Sequence, residues 1–166
     1  MKRITINNKE YTLEYSIEAS LYDECTKTVM DTFVKASMSA GYVKDGDAMS
    51  AISGVVESIA NLPQKVVTLF YAGLLEHHGN SGDHSVKSRA EAKNILVMYL
   101  KESGKSFVDV NNELLECIGE DNFFDLTGLS LIGKKIDEMT EDEMTEDEKP
   151  KRGRKKKEDG NSSSEK

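Results

Sequence analysis

The sequence predicts a mainly α fold, in which an N-terminal β-hairpin packs on a bundle of about five helices and a disordered C-terminal tail follows. Three observations carry that reading. Residues 2–15 alternate between apolar and polar; from Ile17 to Ile118 apolar residues recur at helical spacing between capping signals; beyond Ile136 apolar residues almost vanish. The organisation expected is therefore a hairpin-plus-helix domain over 1–136 and a tail over 137–166.

The hairpin comes first. Ile4 and Ile6 alternate with polar neighbours, as do Tyr11, Leu13 and Tyr15, around an Asn7-Asn8-Lys9 tip. Asn tolerates the left-handed conformation that a tight tip requires. A lone hairpin is marginal in water, so its apolar face must rest on the helices that follow.

At Ile17 the period changes. Ile17, Leu21, Cys25, Val29 and Phe33 lie four residues apart along one stripe, with Tyr22 and Met30 beside it. Ser16 stands at an N-cap position and Gly41 at a stop, which predicts one amphipathic helix over 17–39. Asp45-Gly46-Asp47 breaks the chain and opens a second helix, whose stripe is Met49, Ile52, Val55, Val56 and Ile59; Gly54 weakens it by about 1 kcal/mol relative to Ala. Leu62-Pro63 separates that helix from a third, running to Gly79, in which eight of the ten residues from Val66 to Leu75 are apolar. A helix apolar nearly all round is surrounded by other helices or by a partner, so the centre of the fold is expected here.

After the Gly79–Asp83 loop, Ser88-Arg89-Ala90-Glu91 has the form of a capping box. The helix it opens carries Ala92, Ile95, Leu96, Tyr99 and Leu100, and Gly104 ends it. Ser106 caps the next, with Phe107, Val110, Leu114, Leu115 and Ile118 before Gly119. A short element around Phe123-Phe124-Leu126 follows, and Leu129, Leu131 and Ile132 are expected to dock back on the core.

Composition narrows the chemistry. Cys25 and Cys117 match no metal or redox spacing and read as reduced core thiols of a cytoplasmic protein. The N-terminus lacks the apolar region of a signal peptide, and the longest apolar stretch is too short to cross a membrane. Residues 1–136 carry 14 Lys/Arg against 19 Asp/Glu, and this acidic surface disfavours nucleic acid. No phosphate loop or nucleophile motif occurs, so no catalytic residue, cofactor or metal is expected and the chain reads as a non-enzyme. His77, His78 and His84 lack the spacing of paired metal ligands and read as helix-end and loop residues.

The tail is charge-segregated. Residues 137–148 hold eight acids and residues 149–157 seven bases. Such blocks cannot build a core and are expected to stay disordered. Arg152-Gly153-Arg154, after Pro150, resembles an AT-hook without its second proline, so any contact with nucleic acid is expected from the tail alone.

The order of elements resembles the tail assembly chaperones of long-tailed, siphovirus-type bacteriophages. Ile6-Asn7-Asn8-Lys9-Glu10-Tyr11-Thr12-Leu13 is similar to the family's Ile-Asn-Gly-Lys-Glu-Tyr-x-Leu opening, with Asn8 in place of Gly. Ile59-Ala60-Asn61-Leu62-Pro63, leading into Leu69-Phe70-Tyr71-Ala72-Gly73-Leu74-Leu75-Glu76-His77, resembles its central helix, and the helix ending Tyr99-Leu100-Lys101-Glu102 resembles the next. The likeness covers residues 1–125 and leaves out the tail. It implies a protein of viral morphogenesis in the cytoplasm of the infected host, absent from the mature virion, that binds the tape-measure protein and keeps it soluble. The major tail protein and further copies of the chain are additional candidate partners; no residue is singled out for partner binding. Two other readings stay open: a structural tail-completion or connector subunit, and a small DNA-associated protein acting through its basic tail.

Overall fold

The computed structural model describes residues 1–41 and 48–131; the side chains of 34–55 and 58, and all of 132–166, lie outside the described part. The compact unit is Met1–Leu131. It is mainly helical, fronted by a two-stranded antiparallel hairpin, as the sequence predicts.

Strands β1 (Lys2–Ile6) and β2 (Lys9–Leu13) pair in the register Ile4↔Tyr11 and Ile6↔Lys9. The two tip residues, Asn7 and Asn8, have φ of 50° and 61°. Both central positions are thus left-handed, the geometry of a type I′ turn whose twist matches that of the strands. Ile4, Ile6, Tyr11 and Leu13 share the buried face.

The helix expected over 17–39 is instead two. α1 (Ile17–Leu21) stops at Tyr22, whose ψ of 98° is extended, and α2 (Asp23–Gly41) starts directly after it. The Tyr22 carbonyl accepts from the amides of Cys25 and Thr26, so this residue serves as the N-terminal cap of α2. Asp23 and Glu24 then place negative charge in the first turn, where the helix dipole favours it. The break changes which face is buried. Tyr15, Ala19, Cys25 and Val29 face the core, while Ile17 and Leu21 face solvent.

The opposite correction applies at Pro63. The two helices expected on either side of it are one, α3 (Ala48–His78), with the proline inside. An interior proline removes a backbone hydrogen bond and costs about 3 kcal/mol. Contacts from two other elements flank it. Lys65 pairs with Asp31 of α2 at 3.1 Å, and Arg89 Nη2 donates to the Gln64 carbonyl at 3.4 Å. C-terminal to the proline, α3 is the centre of the fold: Val66, Leu69, Phe70, Ala72 and Leu74 are buried.

α4 (Arg89–Ser103) and α5 (Phe107–Glu120) pack against α3, and α6 (Phe123–Leu126) closes the base through Phe123. The cap at Ser88 is half a box: its hydroxyl accepts from the Glu91 amide, but the Glu91 carboxylate takes the amide of Lys87. The complete box is at Ser106, where hydroxyl and Asp109 carboxylate exchange bonds with each other's amides. α5 runs through Gly119 to Glu120, one residue past the expected stop. A further helical stretch begins at 129. Leu129 packs on the core as expected, Leu131 is 63% exposed instead, and Ile132 lies outside the described residues.

Candidate functional site

Two features stand out as sites: a polar joint where the hairpin meets the end of α3, and apolar side chains left on the surface.

The joint begins with strand geometry. In this register Thr12 is a non-hydrogen-bonded position, so its amide points away from β1 towards α3. His78 Nε2 accepts that amide at 2.9 Å, and the Glu14 amide donates to the Gly73 carbonyl at 2.8 Å. The outer edge of β2 is thus bonded to α3. On its other side, His78 Nδ1 lies 3.1 Å from Ser85 Oγ and 3.3 Å from both Asp83 carboxylate oxygens. Since Thr12 supplies a proton to Nε2, the neutral ring carries its own on Nδ1. Gly82 turns the loop so tightly that a Cβ there would lie 2.0 Å from the His77 carbonyl oxygen.

The neighbouring contacts are also structural. His77 Nε2 sits 2.6 Å from Glu14 Oε2. Ser16, placed at the N-cap of α1, does not cap with its own oxygen; its hydroxyl donates to Glu76 Oε2, which also accepts the Glu18 amide. A carboxylate from α3 therefore supplies the negative end that α1 needs. His77 and His78 end α3 and His84 lies in the loop, as read from sequence; the first two also brace the hairpin, with His78 buried, whereas His84 is exposed with φ of 55°. The sequence signal for a buried histidine was absent, because the strand amide that fills its acceptor is 66 residues away.

Two further clusters join elements. Asp121, the C-cap of α5, accepts the Tyr15 amide at 2.9 Å and pairs with the Met1 amino group. Glu113 gathers Lys105, the Tyr99 hydroxyl and Lys2. Burial works against its charge, but those three hydrogen bonds outweigh burial and hold its carboxyl below the usual range. Cys25 and Cys117 are free and buried, and burial pushes the Cys25 thiol up to about 12. Among the described residues no group of three His, Cys, Asp or Glu side chains is placed to hold a metal, and no helix is long and apolar enough to cross a membrane.

The surface is less resolved chemically but more informative. Ile17 and Leu21, one helical turn apart on α1, are 61% and 74% exposed. On α3, Val56 and Ile59 are 60% and 62% exposed, and Glu57, Ala60 and Asn61 between and after them are exposed too. Phe33 of α2 is half-exposed and stacks edge-on to Phe124 at 4.7 Å. By contrast Phe70 and Leu74, in the helix expected at the centre, are fully buried, and Tyr71 is partly so. The period-four stripe predicts Ile17 and Leu21 on the core side, and both instead face solvent. The signal for the break was the acidic pair Asp23-Glu24, a helix-start composition in what looked like a helix interior. Arg152-Gly153-Arg154 lies outside the described residues.

Comparison of the chain with protein-family models, with curated proteins and with solved structures finds no match.

Proposed function

We propose that this chain is a non-catalytic assembly chaperone of the phage-tail type that residues 1–125 resemble. It holds a long, helical, aggregation-prone tape-measure protein soluble in the cytoplasm of the infected cell and leaves before the particle is complete. The observation that carries the reading is the apolar face of α1, where Ile17 and Leu21 stand exposed on a chain of net charge −8. A holder needs apolar surface to engage its client and like charge to keep its complexes apart. Contacts from the body hold α1 in place. Glu76 caps α1 from α3, and Tyr22 ends the helix after five residues, turning Leu21 outward.

The test is co-expression with the proposed client, a tape-measure protein. The wild type is expected to raise the client's soluble yield, and Ile17→Glu combined with Leu21→Glu to abolish most of that gain. Equal client solubility with and without the wild-type chain defeats the proposal. Proteomics of purified particles gives a second check, in which abundant chain in mature virions would instead favour a structural tail subunit.

A further inference from the structure

Three large apolar side chains stand exposed on two short helices that pack together, Ile17 and Leu21 on α1 and Leu126 on α6. Each helix is little more than one turn long, so packing keeps the three within a small area. The junction is fixed just before α1. There the Tyr15 amide donates to Asp121 at the end of α5, and the Tyr15 ring meets that of Phe123 edge-on, with centroids 6.2 Å apart. Every side chain of α1 and α6 lies in the described part.

The charges around that apolar face have one sign. Residues 10–26, which contain α1, hold five acids and no Lys or Arg. Residues 106–131, which contain α6, hold six acids and again no Lys or Arg. Cations from outside the two helices reach some of them: Lys27 pairs with Asp23, Arg89 with Glu24, and the Met1 amino group with Asp121. Among the described residues no ion pair reaches Glu18 on α1 or Asp125 on α6, and Asp125 is exposed beside Leu126.

The combination selects its occupant. A second copy would set carboxylates against carboxylates, and nucleic acid would set phosphates against them, so like charge repels both. The chain's own basic block, residues 149–157, has the complementary sign but no large apolar side chain to cover Ile17, Leu21 or Leu126. A helix with apolar residues on one face and Lys or Arg beside them meets both requirements.

We propose that α1 and α6 together dock a basic amphipathic helix, its apolar face on Ile17, Leu21 and Leu126 and its cations against Glu18 and Asp125. The inference rests on α1 being the client face, and adds the chemistry of the client segment that this face selects.

Fluorescence anisotropy with the purified full chain tests it, using three labelled peptides. One is a Leu/Lys helix with its leucines on one face, the second a Leu/Glu helix of the same pattern, and the third a Leu/Lys peptide with its leucines scattered. The first is expected to bind at least about tenfold more tightly than either of the others. Glu18→Lys with Asp125→Lys is expected to weaken that binding about tenfold, and Ile17→Ser with Leu21→Ser by as much, while circular dichroism stays helical. An unlabelled peptide of residues 149–157 is expected not to compete. Equal binding of the Leu/Glu helix, indifference to the charge reversals, or full competition by the 149–157 peptide overturns the proposal. So does a dimer of the free chain that Ile17→Ser with Leu21→Ser disperses. A chain that binds as expected but fails to keep a tape-measure protein soluble defeats the chaperone reading alone. One that keeps the client soluble but binds the Leu/Lys and Leu/Glu helices alike defeats this inference alone.

Discussion

The backbone amide of Thr12 donates a 2.9 Å hydrogen bond to Nε2 of His78, joining a strand edge to the last residue of α3. Replacing His78 with Phe keeps the ring contact with Tyr11, whose centroid is 5.3 Å away, but removes the acceptor. The Thr12 amide is then left without a partner in a half-buried setting, at a cost of about 1–3 kcal/mol. Urea unfolding measures the loss, and hydrogen exchange should show the Thr12 amide released. Unchanged protection at Thr12 would contradict the bond.

Gly73 and Gly119 make opposite predictions for the same substitution. A Cβ at Gly73 would lie 3.2 Å from the Tyr15 ring and 3.3 Å from Leu13 Cδ2. Tyr15 is fully buried and its hydroxyl donates to the Leu69 carbonyl, so it has little room to yield. Gly73→Ala gains at most about 1 kcal/mol of helix propensity and loses about 1–3 kcal/mol to overpacking, for a net destabilisation. At Gly119 a Cβ meets nothing within 4 Å, and Gly119→Ala is expected to stabilise by about 0.5–1 kcal/mol. Thermal unfolding of the two variants should move in opposite directions.

Pro63→Ala restores the amide that α3 lacks at its middle. The gain is expected to be about 1–3 kcal/mol, visible as a raised midpoint in denaturant. A lowered midpoint would mean that the proline ring is itself needed at this position.

Asp83 supplies the acid-side prediction. Hydrogen bonds from the Ser85 hydroxyl and backbone amide, with a smaller contribution from His78, lower its carboxyl to about 2. The unfolded value is higher, about 3.9. The folded state therefore prefers the carboxylate: its contribution is complete above about pH 4 and is lost as pH falls towards about 2. Asp83→Asn is expected to flatten the decline in stability across that window and to leave the slope near neutrality unchanged. Urea midpoints measured from pH 2 to pH 7 check both parts.

What could be read from the sequence followed from local chemistry. The hairpin was legible because Asn7 and Asn8 specify a left-handed tip between period-2 runs. α4 and α5 were legible because Ser88, Gly104 and Ser106 punctuate them. The errors lie where contacts from distant residues decide. Asp23-Glu24 signals a helix start after Tyr22, but nothing near it announces that Glu76 will cap a separate α1. Nothing near Pro63 announces Lys65–Asp31 and Arg89–Gln64, which flank it. The exposure of Ile17 and Leu21 escaped for the same reason, since a stripe with period four shows that a helix has an apolar side but not which way that side turns.

The continuity of α3 through Pro63 gives one helix two rates of opening. Beyond the proline Val66, Leu69, Phe70, Ala72 and Leu74 are buried in the core, and amides there are expected to exchange most slowly. Just before it Val56, Glu57, Ile59, Ala60 and Asn61 are exposed, and the ladder lacks a rung at the boundary. The turn at 56–61 is therefore expected to exchange its amides faster than the turns beyond the proline. The break in hydrogen bonding confines that opening to its own side, so the contrast arises within one helix and without a hinge loop.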